Sequence, residues 1–368
     1  MKLKLLLISA IPPFPQTSGG ATRMYHTLIE LSKKYSIYFI TFNSENNNFY
    51  KKYTTKYINF ELKPKSLFSP IPYRFSDWYS PKLLTYLKDL LTNKKFDLIQ
   101  IEFTQLLYLS NVLNLYSSNT PISFVAHDIS SISFYRRISE SKSILKKIAG
   151  TIFWLQVYFD EKKYLAKFNK IITVSTTDQQ LLQKHFHLPS TVVPNGIDAI
   201  HFYSKAPTSY PSKTLHLGYI GSFSHPPNKY AVDYFLNKIS PHLTDYQFYL
   251  AGNNPKFSHP QVINLGIVKN VINFYSKIDV LIAPIFSGSG TRIKILEALS
   301  YGIPVVTTTI GAEGLNIKSS YLQIASNPNE FINCLSHLPS KPSQNLKKQL
   351  EPYLWSNIFK IYPQLLTP

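Results

Sequence analysis

The 368-residue chain contains 44% hydrophobic residues, carries a net charge of +19 and has a single cysteine, Cys334. This composition excludes a disordered protein and a disulfide framework, and the length is typical of two domains. The charge suits phosphorylated ligands, an anionic membrane or nucleic acid, although a genome rich in Lys, Asn and Ile would also produce it. One cysteine and no run of 18 or more apolar residues lead us to expect a cytoplasmic protein that does not span a membrane.

The first half of the chain alternates short apolar runs with helical patterns. It begins with a strand at 4–9, KLLLIS, and a helix at 21–35. The lysines before the first run resemble the start of a signal peptide. The run is short, however, and prolines follow it without a cleavage site, so we predict a buried strand. Further strands are predicted at 36–42, 96–103, 121–127 and 170–175.

The second half repeats this alternation. Its predicted strands lie at 215–222, 246–252, 262–266, 279–284 and 303–309. Alternating strands and helices indicate an α/β protein in which each half forms its own doubly wound parallel sheet. The segment 191–214 is dense in Pro, Ser and Asn-Gly turn signals and is the predicted hinge. We therefore expect domains at 1–195 and 196–349, with the tail 350–368 packing back on the first domain.

Ligands of open α/β sheets bind beyond the carboxyl ends of the strands, so residues that follow strands are the first candidates for a site. Gly19 and Gly20 come after the first strand and open a helix, where backbone N–H groups can approach an anion. They could equally form only a tight turn. The GxGxxG and GxxxxGK[ST] patterns are absent, which argues against dehydrogenases and P-loop NTPases.

The predicted strand 121–127 ends in His127, which Asp128 follows. Such a histidine can donate to a sugar hydroxyl or a developing charge, and we expect Asp128 to fix its tautomer. The alternative is a purely structural histidine. No Asp-x-Asp pair is present, and His185-x-His187, the one metal-ligand spacing, is not interpreted as a zinc site. The sequence thus predicts chemistry without a metal.

The most informative stretch is SGSGTRIKILEALSYGIPVV, at 287–306. A glycine-broken loop leads into a helix predicted from Thr291, whose first turn favours a phosphate. Arg292 adds a forked donor and Lys294 a mobile charge. Glu297, between one and two turns into the helix, could accept from both hydroxyls of a ribose. The alternative is an exposed charged helix face.

These features occur together with an ordered set of motifs. They are PFPQTSGG, DLIQIEF, VAHD and DEKKYLAKFNKIITVS in the first half, and in the second VVPNGID, LGYIGSFSHPPN, FYLAG, VINLGIVKNVINFYSKIDVLIAP, YGIPVVTT and GAEGL. In this order they resemble the retaining, metal-independent glycosyltransferases of the GT-B fold, the "group 1" or family 4 class. The resemblance covers nearly the whole chain. It implies two Rossmann-like doubly wound domains that face each other across a cleft.

The resemblance also implies roles for single residues. The donor diphosphate and the acceptor would lie near Gly19 and Gly20, the transferred sugar would face His127, and Glu297 would bind the ribose. Six more residues complete the implied donor site: Gly266 and Val268 against the base, Gly290 and Thr291 as backbone donors to the diphosphate or sugar, and Glu313 and Gly314 near the sugar.

The chain departs from the family pattern at two places. The second acid that often stands eight residues before the ribose glutamate is replaced by Ser289. The Arg and Lys that often follow the glycine of the second domain's first strand are replaced by Ser222 and Asn228. Our hypothesis is that Arg292 and Lys294 supply the missing charge, because fixed cations must stabilise a leaving diphosphate when no metal does so.

The implied activity is transfer of a hexosyl group from a nucleotide diphosphate sugar to a hydroxyl of a glycan or lipid-linked acceptor, in polysaccharide or glycolipid biosynthesis. No cofactor, metal or nucleic acid is expected. Two alternatives remain: a nucleotide-sugar epimerase or hydrolase on the same scaffold, and a non-catalytic basic protein that binds membranes. The helical pattern at 143–168 is either a surface helix on anionic lipid at the inner face of a membrane or a core helix of the first domain.

Overall fold

The computed structural model describes residues 2–16, 18–44, 48–139, 143–201, 214–253, 255–288 and 291–366, with the backbone alone at 361 and 363–366. The chain divides into two compact units. Unit one consists of residues 1–16, 20–194 and 359–368, and unit two of residues 17–19 and 195–358. Residues 350–358 thus belong to unit two, and the final segment belongs to unit one.

Unit one is built on a seven-stranded parallel sheet with the order β3-β2-β1-β4-β5-β6-β7. Its strands are β1 (Leu3–Ser9), β2 (Tyr35–Phe42), β3 (Lys56–Phe60), β4 (Leu98–Glu102), β5 (Ile122–Ala126), β6 (Lys170–Thr173) and β7 (Thr191–Val192). Leu5, Leu6 and Leu7 in β1 are fully buried. A continuous apolar run is what a parallel strand needs when helices cover both faces of the sheet.

Helices connect these strands. They are α1 (Gly19–Lys34), α2 (Asn48–Tyr53), α3 (Pro81–Asn93), α4 (Ser110–Tyr116), α5 (Ser130–Ser139), α6 (Ile144–Tyr164) and α7 (Thr176–Phe186), with 3-10 turns at Tyr73–Trp78, Thr104–Leu109 and Leu165–Lys167. The strands predicted in this half are confirmed to within about two residues at each end, the usual disagreement between boundary assignments. β3 and β7 were not predicted, because β3 is a half-exposed edge strand and β7 has only two residues.

Unit two contains a six-stranded parallel sheet with the order β10-β9-β8-β11-β12-β13. Its strands are β8 (Leu215–Ile220), β9 (Tyr246–Ala251), β10 (Val262–Gly266), β11 (Val280–Ala283), β12 (Val305–Thr307) and β13 (Leu322–Ile324). The predicted strands are all present, and the short β13 is an addition. The Phe235 and Phe248 rings, 4.2 Å apart, pack in the core on one face of this sheet.

The helices of unit two are short. They are α8 (Pro226–Tyr234), α9 (Ile272–Tyr275), α10 (Ile293–Ser300), α11 (Pro328–Ser336) and α12 (Gln344–Leu350), with single turns at Phe235–Ile239, Ser240–His242 and Glu351–Tyr353. The C-terminal helix α13 (Trp355–Leu366) begins in unit two, and its residues from Phe359 onward belong to unit one. The prediction that the helix starts at Thr291 was wrong by two residues. Arg292 has extended backbone angles, φ −83° and ψ 90°, and is the N-cap of α10.

The strand orders locate one switch point in each sheet. β1 lies between β2 and β4, and β8 lies between β9 and β11, so successive connections leave these strands in opposite directions. In open parallel sheets, ligands bind at the carboxyl end of such a switch point. The candidate sites are therefore the ends of β1 and β4 in unit one and of β8 and β11 in unit two.

Helix α6 has one buried and one exposed apolar face. Its buried side chains are Phe153, Val157, Glu161 and Tyr164. Six further apolar residues are exposed, and at about 100° per residue they fall within about 100° of arc: Ile144, Leu145, Ile148, Ile152, Leu155 and Phe159. We call these six residues the apolar face of α6. The interpretation as a core helix of the first domain is confirmed for the buried face, and association of the exposed apolar face with lipid stays a prediction.

Candidate functional site

Two clusters of polar side chains lie at the switch points, one in each unit. In unit one, Glu102 ends β4 and His127 follows β5. His127 Nε2 lies 2.7 Å from Glu102 Oε2, and the two side chains are 11% and 0% exposed. Since β4 and β5 are neighbours in register, the strands themselves bring these two groups together.

Burial is the main reason that the pKa of His127 lies below its ordinary value, although Glu102 opposes the shift. The imidazole is therefore neutral at physiological pH, and its Nε2–H donates to Glu102. The expectation that Asp128 fixes the tautomer was wrong. The Asp128 carboxylate turns towards the start of α5, where it accepts from Ser130 Oγ at 2.9 Å and Ser133 Oγ at 3.1 Å.

The imidazole is also fixed from its face. The Phe103 ring stacks on His127 with centroids 3.6 Å apart. Phe103 has a φ of +78°, which costs energy for a residue with a side chain. A Cβ on Gly20 would lie 3.1 Å from this ring. Because Gly20 has no side chain, the ring can remain over His127. Gly19 precedes it as the first residue of α1.

Behind Glu102 the hydrogen bonding continues to the C-terminal helix. Gln100 Nε2 donates to Glu102 Oε1 and to Tyr362 Oη, the latter at 2.9 Å. Arg23, 2% exposed, donates to the carbonyls of Val193 and Pro194 at 3.0 and 2.9 Å. Sequence reasoning missed Glu102. The available signal was an acidic residue at the carboxyl end of a buried strand, two positions after Gln100.

In unit two, the ammonium group of Lys294 lies against the end of β8. Lys294 Nζ donates to Asn228 Oδ1 at 2.9 Å and lies 4.0 Å from the centre of the Tyr219 ring. A Cβ on Gly221 would be only 2.9 Å from Lys294 Nζ. Asn228 stands where the family often has a basic residue. Its side chain instead accepts a hydrogen bond from Lys294, which extends to it from α10.

One turn further along α10, Glu297 accepts from Tyr275 Oη at 3.2 Å. Burial raises the pKa of this carboxyl to about 7, with the charge of Asp198 adding to the shift and Tyr275 and Lys294 opposing it. Burial also lowers the pKa of Lys294 to about 7, helped by the neighbouring Arg292. Both groups thus change charge near neutral pH.

Arg292 lies beside the glycine loop. A Cβ on Gly288, whose φ is +101°, would be 3.2 Å from both terminal nitrogens of the guanidinium. The carbonyl of the preceding Thr291 accepts from Asn195 Nδ2 at 3.2 Å. Extended backbone at Arg292 and the absence of a side chain at Gly288 let the guanidinium lie over Gly288. Gly290, predicted as a backbone donor, lies outside the described residues.

The remaining predicted positions also belong to unit two. Gly266 ends β10 with a φ of +67°, and its carbonyl accepts from Gly252 N at 2.7 Å. Gly252 in turn follows β9 and approaches Gly221 so closely that a Cβ would lie 2.0 Å from the Gly221 carbonyl oxygen. Val268 packs on the unit two core. Glu313 and Gly314 lie on the loop after β12, two strands from β8.

Within the described ranges, no three His, Cys, Asp or Glu side chains are grouped as a metal site would require. In the same residues, no helix is long and apolar enough to cross a bilayer.

Solved structures with the same fold cover almost the whole chain. Sucrose-phosphate synthase from Thermosynechococcus elongatus superposes with a TM-score of 0.76 at 14% identity, covering 98% of both chains. The lipopolysaccharide outer core galactosyltransferase WaaB superposes with a TM-score of 0.66 at 16% identity, covering 99% of both chains. Anabaena HepE in complex with UDP and glucose gives 0.67 at 12% identity, again over 99% of both chains.

A sequence relative is an uncharacterized 44.6 kDa protein in the cps region of Klebsiella pneumoniae, 23% identical over 340 residues and 84% of each chain. The family model of Glycosyltransferase Family 4 matches residues 17–200, which is half of the chain, and that of Glycosyl transferases group 1 matches residues 214–340. The predicted site residues lie within these two matched segments. The chain therefore belongs to the group 1, family 4 glycosyltransferases and is a glycosyltransferase of the GT-B fold.

Proposed function

We propose that the protein transfers a hexosyl group from a nucleotide diphosphate sugar to a hydroxyl of a glycan or lipid-linked acceptor, in polysaccharide or glycolipid biosynthesis. Transfer would retain the anomeric configuration and need no metal, two features that rest on family membership. The observation that carries the proposal is the position of Lys294 Nζ, at Gly221 and 2.9 Å from Asn228, one turn from Glu297.

Lys294 and Arg292 are the proposed electrostatic catalysts. A nucleoside diphosphate gains negative charge as the glycosidic bond breaks, and fixed cations in a partly dry site stabilise that charge without reorganisation. Lys294 lies at the end of β8, the switch point of unit two, and Arg292 caps the helix that follows β11. Gly290 and Thr291 would add backbone contacts to the same diphosphate.

Glu297 is the proposed ribose ligand. Its carboxylate already accepts from Tyr275, and its remaining lone pairs can accept from two hydroxyls. The backbone at Gly266 and Val268 would contact the base. Glu313 and Gly314 would contact the sugar.

In unit one, His127 is the proposed partner of the transferred sugar. Because its Nε2–H is committed to Glu102, the imidazole presents Nδ1 as an acceptor for a sugar hydroxyl. Gly19 and Gly20, at the start of α1, would leave room for the diphosphate and the acceptor.

The first test is a thermal-shift panel of UDP-, GDP-, dTDP- and ADP-sugars, without metal, on the wild type and Glu297→Ala. A ligand at about 100 times its Kd stabilises by about 2.7 kcal/mol. We expect one nucleotide class to stabilise the wild type only. If none shifts either protein, the nucleotide-sugar donor is wrong.

Product analysis separates transfer from the alternative activities. An epimerase or a hydrolase changes the donor when no acceptor is present, whereas a transferase consumes donor in proportion to glycosylated acceptor. Donor turnover that does not depend on an acceptor would contradict the proposed transfer.

We also propose that the enzyme acts at the cytoplasmic face of a membrane, held there by the apolar face of α6. Exposed lysines stand at both ends of this helix, including Lys146, Lys147, Lys162 and Lys163. Leu67 and Phe68, also in unit one, add side chains that are 80% and 99% exposed. Exposed apolar residues beside lysines are typical of interfacial helices, and each lysine near an anionic surface contributes about 1 kcal/mol.

Co-sedimentation with vesicles tests this association. The wild type should bind vesicles containing phosphatidylglycerol at low salt, and Ile148→Glu with Ile152→Glu should not. The matched control is Ile324→Glu, which changes an exposed apolar residue of unit two. Equal binding by the double variant and the control would remove α6 from the proposal.

A further inference from the structure

A cavity in unit one lies outside the two polar clusters. Its volume is about 470 Å³, and its walls include Leu84, Val112, Leu115, Tyr116 and Tyr164, which come from α3, α4 and the end of α6, and Tyr79, which precedes α3. This volume is in the range of small-molecule sites, about 300–1,000 Å³. Aromatic rings and branched aliphatic side chains suit an apolar ligand rather than a sugar.

A second, smaller cavity of about 250 Å³ continues the first, since Pro70 and Ile71 line both. Its other walls include Lys163, Asp160 and Phe159. Phe159 belongs to the apolar face of α6, so the paired cavities open beside that face. We call the two cavities together the α3–α6 cleft.

Three ammonium groups surround this cleft. Lys163 Nζ and Lys167 Nζ lie 4.8 and 5.2 Å from the centre of the Tyr164 ring, and Lys88 Nζ lies 5.8 Å from the Tyr116 ring. Lys167 also donates to Asn111, a wall residue, at 2.5 Å. No acidic side chain occurs among the described wall residues of the larger cavity, and Asp160 is the one acid of the smaller cavity.

An apolar cavity with lysines at its rim complements a molecule that is apolar at one end and anionic at the other. We propose that the α3–α6 cleft binds one single-chain lipid phosphate. The hydrocarbon chain lies against the tyrosine and leucine walls, and the phosphate contacts Lys88, Lys163 or Lys167. The proposed function enters at one point: the lipid would come from a membrane that contacts the apolar face of α6. Binding of the lipid in the cleft does not depend on it.

The test measures binding of decyl phosphate, below its micelle concentration, to the full-length protein by calorimetry. Decanol and inorganic phosphate are the comparison ligands, because each has one half of the proposed chemistry. We expect decyl phosphate to bind at least about tenfold more tightly than either, a difference of one decade in Kd. A short two-chain phosphatidylglycerol is the third comparison and should bind more weakly.

Leu115→Trp fills the cleft at a wall residue that is 73% exposed, so the fold should tolerate it. It should weaken decyl phosphate binding about tenfold, and Lys88→Gln should do so as well. Ile324→Trp, which adds the same ring to an exposed position of unit two, is the matched control and should bind normally. The thermal shift by the nucleotide sugar should be unchanged in all three variants, so a failure here is distinct from a failure of the donor site.

The proposal is overturned if Leu115→Trp binds decyl phosphate as the wild type does. Equal binding of decanol would leave no role for the lysines. Equal binding of the two-chain phosphatidylglycerol would assign the cleft to bulk membrane lipid instead.

Discussion

The polar clusters of the two units differ in how their side chains are paired and charged before a ligand binds. In unit one, Glu102 is hydrogen-bonded to both His127 and Gln100, and burial lowers the pKa of the histidine before any ligand arrives. In unit two, Lys294 and Glu297 have pKa values of about 7, far from the ordinary values of an amine and a carboxyl. Unit one therefore fixes the orientation of its side chains, whereas unit two buries charged groups that would be more stable in water.

This difference indicates where binding energy is available. A buried network whose side chains already hydrogen-bond to one another is rigid and gains little from a ligand. A cation and a carboxylate that burial has destabilised gain most when an anion and hydroxyl donors reach them. A charged donor should therefore bind mainly through unit two, and unit one should contribute orientation.

The largest expected effect tests the charge in unit two. Lys294→Gln keeps a hydrogen bond to Asn228 but removes the ammonium group from Gly221. We expect kcat to fall about 10²–10³-fold, as when one preorganised group is removed from a developing oxyanion. Steady-state kinetics of sugar transfer measure this.

Arg292→Ala should lower kcat to a similar extent. Lys277→Gln, on the loop between α9 and β11, is the control. If Arg292→Ala turned over at the wild-type rate, its proposed share in stabilising the diphosphate would be abandoned.

The next effect concerns the ribose. Glu297→Gln should weaken donor binding about 10–100-fold, because hydrogen bonds to a charged acceptor contribute about 1.5–3 kcal/mol. The ligand-free variant should melt at or above the wild-type temperature at pH 8. The raised pKa means that ionised Glu297 destabilises the fold above pH 7, and glutamine removes that charge. Lower melting together with unchanged affinity would contradict both statements.

The pH dependence follows from the same two groups. A bound diphosphate raises the pKa of Lys294, so above pH 7 donor binding takes up a proton and the Kd rises by up to about tenfold per pH unit. Hydroxyl donors lower the pKa of Glu297, so binding also weakens as pH falls below 7. Affinity should peak near pH 7. Burial raises the pKa values of Tyr219 and Tyr275, whose phenols face this pair, so both stay protonated between pH 6 and 8.

Titrations of nucleotide-sugar binding from pH 6 to 8.5 separate the two limbs. Lys294→Gln should lose the alkaline limb, and Glu297→Gln the acid limb. If both limbs persisted in both variants, the titrating groups would lie elsewhere.

Sequence patterns predicted the parallel sheets, their buried strands and the residues of α10, because buried strands and helix ends have strong local signals, but they missed β3, β7 and β13. They failed where the decisive contact lies between distant segments. Glu102 reaches His127 across neighbouring strands, and Asn228 receives Lys294 from 66 residues away. A sequence motif does not show which strands are neighbours or how close their side chains lie. The apolar face of α6 was left ambiguous because periodicity does not distinguish a covered face from an exposed one.

A smaller effect is expected from Glu102→Gln. Glutamine can still accept from His127 Nε2–H, but as a neutral group it holds the imidazole less strongly, by about 1 kcal/mol. We expect kcat to fall about tenfold with the KM for the donor nearly unchanged. Nitrogen NMR of His127 should show a mixture of tautomers. A single Nε2–H tautomer in this variant would mean that Glu102 does not select it.

The smallest effect tests how far the unit one network extends. Tyr362→Phe removes the hydroxyl that accepts from Gln100 and should lower the free energy of unfolding by about 1 kcal/mol. Tyr353→Phe is the matched control, because the Tyr353 hydroxyl accepts from Asn316 N at 2.8 Å in unit two. Both variants should lose similar stability, but only Tyr362→Phe should move the His127 nitrogen resonances. If neither variant moved them, the C-terminal helix would stabilise unit one without orienting the histidine, and orientation would depend on Glu102 and Phe103 alone.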